Sequence, residues 1–169
     1  MSNRSTIALP DVRVAQLNQL AAHHGITATD LVSGWIVADA QRVGLADNLP
    51  GFDIVASRDD ETNQPLVIFA APLLPIVHLS PAEARDLTAG IASVVAGEVV
   101  RVRVDATSVG ETTVEFAKKG RGFRMLVISH GGADPDAPHT GARGFTGNLA
   151  LEVADAIDAA AEKAEAEAQ

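Results

Sequence analysis

The chain contains no cysteine and no tyrosine, and it has a single tryptophan. Without thiols it holds neither a disulfide nor a thiolate metal centre, and a reducing compartment suits it. Aromatic residues make up only 4% against 47% apolar residues in all, so a core has to be built chiefly from Val, Ile, Leu and Ala. No stretch reaches the roughly 18 to 20 apolar residues of a membrane-spanning helix. The N-terminus lacks the apolar stretch of a signal peptide, so a cytoplasmic location is expected. Basic residues are scarce too: 13 Lys and Arg face 22 Asp and Glu, for a net charge of -9. That balance argues against a protein that coats nucleic acid nonspecifically, because phosphate binding is dominated by Lys and Arg. A G-x-S-x-G elbow, a P-loop and a convincing nucleophile–base pair are all missing, so neither enzymatic activity nor a cofactor is expected.

What is present is unevenly distributed. The length of 169 residues suits one domain, or a small module plus a domain of about 100 residues. Residues 1–50 carry three Arg against four Asp, and residues 146–169 one Lys against six acids. Arg101, Arg103, Lys118, Lys119, Arg121 and Arg124 outnumber Asp105, Glu111 and Glu115 in the one locally basic stretch.

From Arg4 to Leu9 the residues alternate, with Ser5, Ile7 and Leu9 on one face and Arg4, Thr6 and Ala8 on the other. Pro10 and Asp11 open a short helix with Leu17, Leu20 and Ala21 on one stripe and Gly25 at its C-cap. Thr27 or Thr29 caps a second helix, Asp30 sits in its first turn, and Leu31, Trp35 and Ala38 lie on a broad apolar surface ending near Gly44.

A short strand ending in Leu9-Pro10-Asp11, a first helix closed by Gly25 and a second opened by Thr27-Ala28-Thr29-Asp30-Leu31 together resemble the ribbon-helix-helix family of small DNA-binding dimers. The resemblance covers about a quarter of the chain. It implies an obligate homodimer, formed by pairing the N-terminal strands and interlocking the helices. It also implies that Arg4, Thr6 and Ala8 face the bases of the major groove while Thr27, Ala28 and Thr29 lie near a phosphate.

Leu45 to Gly51 reads as a linker. Beyond it, strands are expected over 52–56, 65–71 and 74–79. Ser80-Pro81-Ala82-Glu83 then opens a helix that ends near Gly97. A second passage repeats this order, with strands over 99–105, 112–117 and 123–129 and a helix over 146–166. Val67-Ile68-Phe69-Ala70 and Val114-Glu115-Phe116-Ala117 occupy equivalent places, which suggests a βββα pseudo-repeat. The expected fold class is therefore α+β: a ribbon-helix-helix module over 1–44, a linker over 45–51, and a domain over 52–166 with one antiparallel sheet covered on one face by two helices. An acidic tail over 167–169 is expected to fray.

His130, Asp134, Asp136 and His139 fall within ten residues and are competent zinc or nickel ligands. Their spacing matches no established site and the segment is rich in Gly and Pro, so a solvated loop without metal is the expectation. Arg101 and Arg103 alternate with valines and so share a sheet face. With Lys118, Lys119, Arg121 and Arg124 they form a candidate patch for anions or nucleic acid, set against the plainer reading of a soluble hairpin tip. His23 and His24 fit ordinary capping at a helix C-terminus, and His78 a structural role in a strand.

The functional expectation is a homodimeric DNA-binding regulator, a repressor, whose C-terminal domain senses a small ligand or binds a protein partner, with no membrane involved. The alternative is a non-enzymatic protein-interaction module, antitoxin-like or a mobile-element inhibitor, in which the N-terminal segment only dimerises. The near-neutral charge of residues 1–50 favours the alternative, and the spacing of the motif favours the regulator.

Overall fold

The computed structural model describes residues 7–43, 49, 51–130 and 138–168. The chain divides into two compact units, Met1–Leu45 and Ala46–Gln169.

The first unit is a helical hairpin of α1 (Asp11–His24) and α2 (Ala28–Arg42). Pro10 ends the extended segment before α1, and its carbonyl accepts the N–H groups of Arg13 and Val14 at 2.8 and 3.1 Å. Gly25 closes α1 in the left-handed conformation at φ 70°, and Ile26 N–H returns to Ala21 C=O at 3.0 Å. Thr27 Oγ1 accepts the Asp30 N–H at 3.1 Å and donates to the Asp30 carboxylate at 2.6 Å, fastening the start of α2.

This arrangement overturns the ribbon-helix-helix assignment. Both helices precede the first described strand, which begins at Asp53, and residues 7–10 are extended without belonging to a ladder. Alternation made the segment compatible with a strand, but a strand exists only through a hydrogen-bonded neighbour, and every described ladder of this chain lies after residue 52.

The second unit runs β1 (Asp53–Arg58), β2 (Pro65–Ala70), β3 (Val77–Leu79), α3 (Pro81–Ala96), β4 (Arg101–Ala106), β5 (Glu111–Lys119), β6 (Gly122–His130), β7 (His139–Phe145) and α4 (Gly147–Ala166). Its strands form two antiparallel meanders, β1-β2-β3 and β4-β5-β6-β7. The expected single sheet with two helices on one face is therefore corrected to sheet, helix, sheet, helix, with α1 and α2 ahead of them. Strand β7 was not expected. It pairs with β6 from Phe123↔Phe145 to Ser129↔His139.

α3 and α4 pack on one another, and each leans mainly on the sheet of the opposite half: α3 on β4 and β5, α4 on β1 and β2. Neither β-meander-plus-helix half can bury its apolar surface alone, so the unit should fold as one. A methyl group at Gly90 would run into the Val102 side chain, so the contact of α3 with β4 requires a residue without a side chain. All five phenylalanines form one chain of ring contacts across the core. Phe69 meets Phe52 at 6.3 Å, Phe52 meets Phe145 at 5.9 Å, Phe145 meets Phe116 at 5.9 Å, and Phe116 stacks on Phe123 at 5.7 Å. The few aromatics are thus spent on joining the two sheets.

Candidate interaction surface

Among the described residues 25 apolar side chains are buried, and the hairpin contributes two of them, Ala21 and Leu31. Leu17, Val32 and Val37 are half-buried, and its other large apolar side chains within the helices and turn face water: Val12, Val14, Leu20, Ile26 and Val43 are exposed, Trp35 is 50% exposed and Ile36 60%. An open groove of about 930 Å³ lies between the two helices. Arg13, Gln16, Leu17 and Leu20 line it from α1, at the i, i+3, i+4, i+7 spacing of one helical face. Val32, Ser33 and Trp35 contribute from α2, and Leu9 from the extended segment. Among the described residues Arg13 is the one ionised residue lining it, and its guanidinium donates to Gln16 Oε1 at 2.7 Å. In shape and chemistry the groove is a receptor for an apolar ridge.

The residues expected to touch DNA are described only in part. Arg4 and Thr6 lie outside the described residues, and Ala8 is exposed in the unpaired segment. Thr27, Ala28 and Thr29 do stand at the start of α2, but the place expected for a phosphate already faces the Asp30 carboxylate, held there by Thr27. A phosphate would meet that negative charge. The DNA-binding repressor and the strand-paired homodimer both rested on a ribbon of paired strands that this topology lacks. The antitoxin-like alternative falls with them, because it used the same ribbon-helix-helix dimer.

The basic stretch is brought together only in part. Arg101 and Arg103 share the outer face of β4, as alternation requires, but the register sets Glu115 opposite Arg103. Arg101 pairs with Glu115 at 3.5 Å, while Arg103 binds Asp105 at 2.9 Å and Thr113 Oγ1 at 3.3 Å. Hydrogen bonds from Thr113 and Arg103 hold the Asp105 carboxyl below its ordinary range. Lys118 and Lys119 are adjacent in β5 and so alternate between its faces, Arg121 sits in the hairpin turn, and Arg124 lies across from Ala117. All six cations are exposed, and Arg101, Arg103, Lys119 and Arg124 share the outer face of the sheet, where Asp105 and Glu115 lie among them, so that face carries mixed charge.

His130 closes β6 and His139 opens β7, both exposed, while Asp134 and Asp136 lie outside the described residues. Among the described residues no group of three His, Asp or Glu side chains is placed to hold a metal. His23 and His24 stack edge to face at 5.3 Å at the end of α1. His78 lies half-buried on the outer face of β3, beside Ile68.

One polar cluster escaped the sequence reading. Glu83 completes the capping box of α3 with Ser80, and its Oε1 also accepts the Thr107 N–H at 2.8 Å while Oε2 accepts Ser108 Oγ at 2.6 Å. Burial would raise the Glu83 pKa, but the donors from Ser108, Thr107 and Ser80 outweigh it and hold the carboxyl below its ordinary value of 4.5. The cap thereby ties α3 to the β4–β5 turn, a structural role. The capping box was legible in sequence; the reach to a turn 24 residues on was not.

Among the described residues no helix is long and apolar enough to cross a membrane. Compared with protein families, curated proteins and solved structures, the chain matches none of them.

Proposed function

We propose that this is a non-enzymatic binding protein of the cytoplasm, whose helical hairpin docks an amphipathic helix from a protein partner in the groove between α1 and α2. The observation that carries this reading is the contrast between two buried apolar residues and a groove lining in which Leu9, Leu20 and Trp35 are exposed and Leu17 and Val32 only half-buried. Two helices presenting facing apolar stripes are completed by a third, and an apolar groove of this kind reads i, i+3, i+4, i+7 anchors. Arg13 in the lining favours a partner helix with an acidic residue beside its apolar stripe.

Trp35 is the chain's single tryptophan and lines the groove, so its fluorescence reports occupancy directly. Titration with a designed helical peptide carrying leucines at i, i+3, i+4 and i+7 and glutamates elsewhere should shift its emission to the blue. Leu20→Asp should abolish the shift. An equal response to a scrambled peptide, or none to either, refutes the proposal. So does an emission shift that depends on protein concentration alone, which would put a second copy in the groove.

A further inference from the structure

The two sheets of the second unit end in the edge strands β1, β3, β4 and β7, and all but β1 are guarded. β3 is only three residues long. β4 carries Arg101, Arg103 and Asp105, and the Thr107 N–H just beyond it is held by Glu83. On β7 the β2–β3 turn lies against Gly141, and Arg143 reaches over to the Gly51 carbonyl at 2.9 Å. In β1, by contrast, Ile54, Val55, Ala56 and Ser57 stand uncharged between Asp53 and Arg58. Ile54 packs towards the core, which leaves Val55 on the outer face, 43% exposed. The backbone of β1 has a free side as well. Asp59 N–H donates to Gln64 C=O at 2.9 Å, so by alternation Asp53, Val55 and Ser57 bond to β2 while Ile54, Ala56 and Arg58 turn their N–H and C=O groups the other way. Pro65, which has no N–H to give, stands opposite Arg58, where the ladder asks for none. Among the described residues no strand stands on that side.

An unpaired edge is completed by another extended backbone, and this one is complementary to itself. About a two-fold axis at Val55, antiparallel strands set Val55 against Val55 of the second copy, Ile54 against its Ala56 and Asp53 against its Ser57. The free groups of Ile54 and Ala56 then bond one another, and no like charges meet. An axis at Ala56 would instead set Asp53 against Asp59. The same axis suits α4. This helix lies on β1 and β2, begins just after Phe145, whose ring meets Phe52, and ends where the Arg58 guanidinium donates to the Glu167 carbonyl, so it runs parallel to β1. Its flank away from the Arg85–Glu165 ion pair with α3 bears Glu152, Ala156, Ala159 and Lys163 at i, i+4, i+7 and i+11. Two such flanks laid antiparallel bring Glu152 of each copy towards Lys163 of the other, with alanines between them that permit close approach. In the single chain Glu152 is half-buried with no cation beside it among the described residues, and burial and Asp155 raise its pKa. The Lys163 side chain is 69% exposed. We infer that the protein forms a two-fold homodimer in which the β1 strands pair about Val55 and join the two β1-β2-β3 sheets into one. The contact lies wholly in the second unit and owes nothing to the N-terminal segment.

Because the chain has no cysteine, Val55→Cys introduces its only thiol. Facing residues of a non-hydrogen-bonded antiparallel pair have Cα atoms about 4.5 Å apart, within reach of a disulfide. On mild oxidation of the full chain at micromolar concentration, Val55→Cys should run as a disulfide-linked dimer on a non-reducing gel. Asp53→Cys and Ser57→Cys should each crosslink about tenfold more slowly alone and rapidly when mixed, because the register sets them opposite one another. Equal rates for all three single variants, or no dimer with Val55→Cys, would overturn the pairing. By light scattering at the same concentration the unaltered chain should have about twice the 17.5 kDa of one copy. Val55→Lys, which sets two like charges face to face on an exposed position, should return it to one copy with an unchanged circular dichroism spectrum. A single-copy mass for the unaltered chain, or a dimer that survives Val55→Lys, would overturn the proposal. Leu20→Asp in the hairpin should leave the crosslinking unchanged, and Val55→Lys the response of Trp35 to the helical peptide, so the two proposals can fail separately.

Discussion

The hairpin Asp11–Arg42 and the unit that follows it are built on opposite principles. In the second unit, helices and sheets exchange partners across two halves, five rings run through the core, and a half-buried carboxylate joins a helix cap to a distant turn. In the hairpin the local signals are all in place, with a left-handed Gly25 and the Thr27–Asp30 cap, yet almost nothing is buried. Well-formed ends make helices; only burial makes a stable unit, and isolated helices of this length are marginal in water. The hairpin's apolar surface is therefore most simply explained as one half of an interface.

The contrast can be broken in several ways. Phe116→Ala, which removes the ring linking β5 to Phe123 and Phe145, should cost about 3 to 5 kcal/mol in urea unfolding. Leu20→Ala in the hairpin should leave that transition unmoved, and a comparable loss would show that the hairpin has a core after all. Next come two glycines in helices. Gly90→Ala, crowding Val102, should destabilise by about 1 to 3 kcal/mol. Gly34→Ala, with open space around it, should raise hairpin helicity by about 1 kcal/mol in propensity, read by circular dichroism. Opposite signs are expected from the same substitution.

A smaller effect concerns Glu83. Glu83→Gln should cost about 1 kcal/mol, in the range of a lost cap. Because the folded-state pKa lies below the ordinary 4.5, the carboxylate's contribution is present above that pH and disappears as the pH falls through the lowered value. The difference in stability between the two proteins should therefore be constant at neutral pH and shrink in acid. A gap that persists unchanged at low pH would show that the carboxylate's charge has no part in it.

Where the sequence was readable, the signal was local. Ser80-Pro81-Ala82-Glu83 starts α3 as its chemistry requires, and the alternation in Val67–Phe69 and Val114–Phe116 falls in β2 and β5, the middle strand of one meander and an inner strand of the other. β7 was hidden because Gly141, Arg143 and Gly144 break the alternation, and it is held by its ladder to β6. The division into two sheets was equally hidden, since it depends on where β3, only three residues long, stops pairing. The candidate patch was legible only in part for a similar reason. Alternation put Arg101 and Arg103 on one face, but only the register brings Glu115 to them. At the N-terminus, caps and spacing located the helices well, but a strand was inferred from residues whose pairing partner was supplied by resemblance alone.

The most direct test of the hairpin's character is hydrogen exchange across the chain at neutral pH, without and then with the leucine-patterned peptide. The account requires amides of α1 and α2 to exchange orders of magnitude faster than those of α3 and α4 in the protein alone, and to slow when the peptide binds. Protection of α1 and α2 equal to that of α3 and α4 before any peptide is added would contradict it, because the hairpin would then need nothing to complete it.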